Sequence, residues 1–119
     1  MARREYNRAD RISAELRREV SLVVHEAVRN GELPSVSVSE VEVTRDISLA
    51  RVWVTALKSE EGAEAVKLLN EHAKEFRHEL AKTLKLRHMP ELRFAYDDSV
   101  DRGERIEQLL REMDKPKGE

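Results

Sequence analysis

The segment Leu84-Lys85-Leu86-Arg87-His88-Met89-Pro90-Glu91-Leu92-Arg93-Phe94-Ala95-Tyr96-Asp97-Asp98 constrains the fold more than any other part of the chain. A basic helix end runs into Pro90, and the proline opens a run in which Leu92, Phe94 and Tyr96 alternate with Glu91, Arg93 and Ala95. Proline has no N–H to give to a sheet ladder, so Pro90 is predicted to stop the helix and start a strand. Alternation then places the three large apolar residues on one face. The segment therefore demands a helix packed on a sheet. It also gathers Lys82, Lys85, Arg87 and Arg93, with His88, at the corner where the two meet.

The other elements follow from the same two periods. Ile12, Leu16, Val20, Val23, Ala27 and Val28 form a helical stripe that predicts a helix over 8–29, with Asn7 or Asp10 as its cap. Asn30-Gly31 is its stop signal, Gly31 being free to take a positive φ after the last turn. Strands are predicted over 36–44 and 48–57, joined as a hairpin by the polar stretch Thr44–Ser48. Val36 and Val38 share one parity and Val41 and Val43 the other, so a β-bulge is expected near Ser39-Glu40. Ser59-Glu60-Glu61 opens a helical region to about Leu86, with a stripe that includes Leu69, Phe76 and Leu80. An unbroken helix of that length would run about 40 Å, too long for so small a body to cover, so a bend is predicted around His72–Lys74. Asp97-Asp98-Ser99 is a turn and capping signal, and Ile106, Leu109, Leu110 and Met113 mark a last short helix.

At 119 residues the chain is expected to be one domain over residues 1–113 with a flexible tail at 114–119. Aromatics are only 4% of it, so the core must be mostly Val, Leu, Ile and Ala. There is no cysteine, which excludes a disulfide framework, thiolate zinc and a thiol nucleophile. No apolar run approaches the length of a signal or membrane segment, so the expected setting is soluble and cytoplasmic. Nothing in the sequence requires a dimer, so a monomer without a small-molecule substrate is expected.

No constellation for chemistry emerges. His25, His72, His78 and His88 are scattered, and no pair has metal-ligand spacing. Asp97, Asp98 and Asp101 precede or open a helix, where capping accounts for them better than Mg²⁺ does. The glycines at 31, 62, 103 and 118 make no P-loop, dinucleotide loop or GxxG. The chain is read as a non-enzyme with no cofactor and no metal.

Charge is more informative. The net charge is −2, but residues 1–20 hold six arginines against four acids and residues 74–93 hold six cations against three acids. Residues 97–119 hold eight acids against five bases. Local positive fields govern binding to phosphates, so the overall sign does not forbid a polyanionic partner. Arg8, Arg11, Lys74, Arg77, Lys82, Lys85, Arg87 and Arg93 are the candidate phosphate contacts. Few aromatics are available to stack on bases, so recognition would be mainly of shape.

Two segments carry a family likeness: Val41-Glu-Val43-Thr-Arg45-Asp46-Ile-Ser-Leu-Ala50-Arg51-Val52-Trp-Val54 and Leu84–Asp98. With Arg8-Ala-Asp-Arg11-Ile12 and Leu69-Asn70…Phe76-Arg77 in the same order, the chain resembles bacterial ribosome-binding factor A over about residues 5–110. The resemblance implies an α+β, KH-like domain of type II order without a GxxG loop. In it a three-stranded sheet is covered on one face by helices, in the order α-β-β-α(kinked)-β-α. It further implies a non-enzymatic factor that binds the small (30S) ribosomal subunit, contacts 16S rRNA, supports late assembly and 5′-end maturation, and is linked to growth in the cold. Where the family commonly carries an Ala-x-Gly-like break, this chain has His72-Ala73-Lys74. A different class of function is a protein-interaction module docking through Trp53 or the acidic C-terminal region. The two differ in salt dependence, which is steep for RNA binding and slight for a Trp-centred interface.

Overall fold

A computed structural model describes residues 8–114, without the side chains of 100–105 and 114. Asn7 and the tail 115–119 lie outside the described residues. The elements are α1 (Arg8–Arg29), β1 (Val36–Val43), β2 (Leu49–Ala56), a 3₁₀ turn at Ser59–Glu61, α2 (Gly62–Glu71), α3 (Ala73–Leu84), β3 (Glu91–Tyr96) and α4 (Ser99–Asp114). The sheet order is β1-β2-β3, with β1 and β2 antiparallel and β2 and β3 parallel. A parallel neighbour needs a crossover, and the α2–α3 pair supplies it. α1 packs on β1 while α2 and α3 pack on β3, so one face of the sheet is covered. This is the α+β, KH-like arrangement.

The core follows the predicted stripes closely. Ile12, Leu16 and Val20 of α1, Ala50, Val52 and Val54 of β2, Leu69 and Leu80 of the crossover, and Leu92 and Phe94 of β3 are all buried. In the last two turns of α1 it is Val24, not Val23, that faces the sheet fully. α1 ends on Gly31 at φ 78°, with Gly31 N bonded to Val28 O at 3.1 Å and Glu32 N to Ala27 O at 2.9 Å. That pair of bonds is a Schellman cap, which needs the left-handed conformation that glycine adopts freely. Asp10 does not precede the helix. It sits in the first turn, where a carboxylate suits the helix dipole.

The register shifts between Val38 and Glu40, which puts the bulge at Ser39. The Ser39 hydroxyl lies 2.8 Å from Asp97 Oδ2 and 3.2 Å from Trp53 O, so the bulge ties the hairpin to the turn after β3. Asp97 also accepts from Ser99 N at 3.0 Å and so holds the start of α4, the capping role expected of it. Along α4 the stripe Ile106, Leu109, Leu110 and Met113 is more than half exposed, and the helix runs for 16 residues rather than the short segment expected.

The hairpin connection is a dense polar knot. Asp46 Oδ1 accepts from Thr44 Oγ1 at 2.8 Å, Ser48 Oγ at 2.7 Å and Ser48 N at 3.1 Å, while Ile47 takes φ 61°. The Ser48 and Thr44 hydroxyls hold the Asp46 carboxyl below its ordinary value. A depressed carboxylate contributes stability above the unfolded value, and that contribution is lost as pH falls through the lowered folded one. The connection should therefore loosen only in acid below the usual carboxylate range, and Asp46→Asn should remove that dependence. Carbon-detected NMR titration of the Asp46 carboxyl checks this, and an ordinary midpoint would contradict it.

Each sheet edge is capped at one position by a side chain where a further strand would pair. Ser13 Oγ accepts from Val43 N at 3.0 Å on the β1 side. On the β3 side Asn70 donates from Nδ2 to Phe94 O at 3.0 Å and accepts on Oδ1 from Phe94 N at 2.8 Å. The amide thus supplies the donor and acceptor of a missing strand. Asn70→Ala should cost about 1–3 kcal/mol, because both Phe94 groups lose their partner. Thermal melting and faster hydrogen exchange at the Phe94 amide would register it.

Candidate nucleic-acid interface

The crossover helix bends at His72, which sits between α2 and α3 at φ −102°, ψ 9°. Its N–H is shared between Leu68 O at 3.1 Å and Leu69 O at 3.2 Å, and its carbonyl accepts from Phe76 N at 3.0 Å, so the helical ladder continues through the bend. Lysine at position 74 does not prevent the kink, since Lys74 is exposed and Ala73 is the residue that approaches the body. The bend turns α3 so that one of its flanks faces the start of β3.

Lys74 and Arg77 from α3 and Arg93 from β3 converge there on a recess of about 430 Å³. Asn70, Ala73, Glu91 and Leu92 complete its lining. Three cations face one carboxylate, and Glu91 lies 3.5 Å from Arg93 with both side chains exposed. An exposed pair of this kind contributes little, about 1 kcal/mol or less, and a phosphate could displace it readily. Arg77 Nη2 donates to Met89 O at 2.7 Å. This guanidinium therefore fixes the segment before β3 and still has donors to offer. The recess has the donor set for an anion: two arginine forks and a lysine point charge.

The remaining predicted contacts lie elsewhere. Lys82 is in the last turn of α3, and Arg87 is exposed in the loop that follows. The expected end of the helix needs correction. The helix stops at Leu84, not at about Leu86, and Pro90 does not stop it. Lys85 caps the helix at φ 51°, with its N–H on Ala81 O at 3.2 Å, so Lys82 and Lys85 do not share a helical face. A non-glycine residue in that conformation costs about 1–2 kcal/mol. Pro90 is instead buried at the mouth of β3, where its missing N–H leaves no ladder bond unmade. Arg8 and Arg11 are exposed in the first turn of α1, which packs on β1 at the far side of the sheet from the recess.

Trp53 lies on the uncovered face, half-buried, and shares one cavity with Glu40, Tyr96, Asp97 and Asp98. Carboxylates around the ring oppose a phosphate backbone, so it is a poor platform for stacking on RNA. Sequence reasoning missed Asn70 as a lining residue. The signal that could have found it is an amide one helical turn before Lys74 and two before Arg77.

A family model described as "Ribosome-binding factor A" matches residues 8–110. The chain belongs to the ribosome-binding factor A family. The family protein of Xanthomonas oryzae pv. oryzae (strain MAFF 311018) is 57% identical over 114 residues, which are 96% of this chain and 88% of that one. The crystal structure of ribosome-binding factor A from Thermus thermophilus is similar at a TM-score of 0.64 and 26% identity, covering 76% of this chain and 97% of that one. A homology model of the Thermus thermophilus factor, as fitted into the cryo-EM map of a complex of the 30S with that factor, is similar at a TM-score of 0.59 and 25% identity, covering 74% of this chain and 93% of that one. Among the described residues no helix is long and apolar enough to cross a membrane.

Proposed function

We propose that this protein associates with the small ribosomal subunit as a binding factor rather than an enzyme. On this reading the recess between α3 and β3 takes a backbone phosphate of 16S rRNA. The observation that carries the reading is the convergence of Lys74, Arg77 and Arg93 on one concavity, in a family with a member fitted into a 30S complex. Lys82, Lys85 and Arg87 extend the positive field beyond α3, and Arg8 and Arg11 offer a separate contact at α1. Contacts of this kind set register and affinity, not sequence preference.

The protein acts in the cytoplasm during late assembly, where holding one conformation of the immature subunit supports 5′-end maturation of 16S rRNA. Each cation that neutralises a phosphate adds to the salt dependence of binding. Sucrose-gradient co-sedimentation with purified small subunits should show association that falls steeply as salt rises. Cells depleted of the protein should accumulate 16S rRNA with unprocessed 5′ ends, read by primer extension. Normal ends would remove maturation from the function and leave binding alone.

A further inference from the structure

α3 has two unlike flanks. Lys74 and Arg77 face the β3 edge, whereas Glu75, Phe76 and Glu79 face α1. On this second side the helices leave a groove of about 410 Å³, with Val23, Ala27 and Phe76 as its apolar floor. Leu22 stands on its rim and is 59% exposed. Glu26 and Glu32 come from the α1 side and Glu75 and Glu79 from α3, and among the described residues no lysine or arginine lines the groove. Glu75 lies 3.3 Å from His72 Nδ1, and among the described residues Glu26, Glu32 and Glu79 form no ion pair.

Those features select the occupant. Four carboxylates repel a phosphate backbone, so rRNA is excluded from this groove while it is favoured on the other flank of the same helix. The floor needs apolar anchors, and the rim needs cations on both sides of them. An amphipathic helix laid between two ridges offers that combination, with anchors at i and i+4 and charges flanking them. We propose that the α1–α3 groove binds a basic amphipathic helical segment of a protein partner. Its leucine or phenylalanine side chains enter the Val23–Phe76 floor and its lysines or arginines meet Glu26, Glu32 and Glu79. α3 then separates an RNA-facing side from a protein-facing side, and both can be occupied at once. The groove reading stands whether or not the recess binds rRNA.

The test is an NMR titration of the ¹⁵N-labelled protein with a synthetic amphipathic peptide carrying leucines at i and i+4 and lysines on both flanks. The same peptide with glutamate in place of lysine is the control. Amide shifts should centre on Leu22, Ala27, Phe76 and Glu79, and the acidic peptide should not bind. A Glu26→Lys, Glu79→Lys variant should bind the basic peptide about tenfold more weakly or worse with an unchanged Tm. Should that variant fail to fold, Glu26→Gln, Glu79→Gln should show a smaller loss in the same direction. The proposal is overturned by shifts centred elsewhere, by equal binding of the acidic peptide or by undiminished affinity in the variants. It is equally overturned if a poly-uridine oligonucleotide perturbs these same amides.

Discussion

A Lys74→Glu, Arg93→Glu variant is expected to bind small subunits about 1,000-fold more weakly, since two lost phosphate contacts and two introduced repulsions at about 1 kcal/mol apiece sum to about 4 kcal/mol. Its melting temperature should stay close to the parent's. Both side chains are exposed, and the one ion pair involved, Arg93 with Glu91, is a surface pair. Arg77 is left out of the variant deliberately, because its guanidinium holds the Met89 carbonyl and its loss would disturb the approach to β3. A Lys85→Glu, Arg87→Glu variant makes the comparison, and its loss should be the smaller one, since neither residue lines the recess. Equilibrium co-sedimentation of the three proteins at one salt concentration reads both effects. If the corner pair proves the more damaging, phosphate contact lies past the end of α3.

Leu69→Ala is expected to destabilise the protein by about 2–5 kcal/mol, the usual range for a fully buried leucine whose cavity only partly collapses. Leu69 has no exposed surface and sits in α2, one residue before the Asn70 clasp on β3. A cavity there loosens both the packing and the edge closure. Phe76→Ala is the instructive contrast. Full burial of that ring would imply about 3–5 kcal/mol, but the ring is only half-buried and meets Phe94 edge-on at 6.0 Å. About 1–3 kcal/mol is expected for it, in proportion to the area it hides. Urea unfolding midpoints at constant m-value give both numbers, and a Leu69→Ala loss below about 1 kcal/mol would remove that residue from the core.

What was legible in the sequence was what depends on period and on special residues. The parity slip between Val38 and Val41 announces the bulge at Ser39, and Asn30-Gly31 announces the Schellman cap. The length of the 59–86 stripe demands the bend that falls at His72. What was not legible depends on partners distant in sequence. Nothing local to Asn70 says that its amide will complete the edge of β3, 24 residues on. Nothing around Arg77 says that it will hold a carbonyl 12 residues on. The end of α3 is not legible because Pro90 looks like the stop signal, whereas Lys85 turns the chain five residues earlier at a conformational cost that sequence patterns do not reveal. The candidate site was affected in the same way. Its cations were all visible, but their grouping followed neighbours along the chain. Lys74, Arg77 and Arg93 come together only because the kink turns α3 along β3.

That grouping is the central claim, and a cryo-EM reconstruction of the protein on an immature small subunit tests it most directly. The expected result is an rRNA phosphate in the α3–β3 recess, with oxygens about 2.7–3.2 Å from Lys74 Nζ and the Arg93 guanidinium. The α1–α3 groove should be turned away from RNA. A complex in which the recess faces open solvent, with rRNA instead lying along Arg8 and Arg11 or across the Trp53 face, would contradict it.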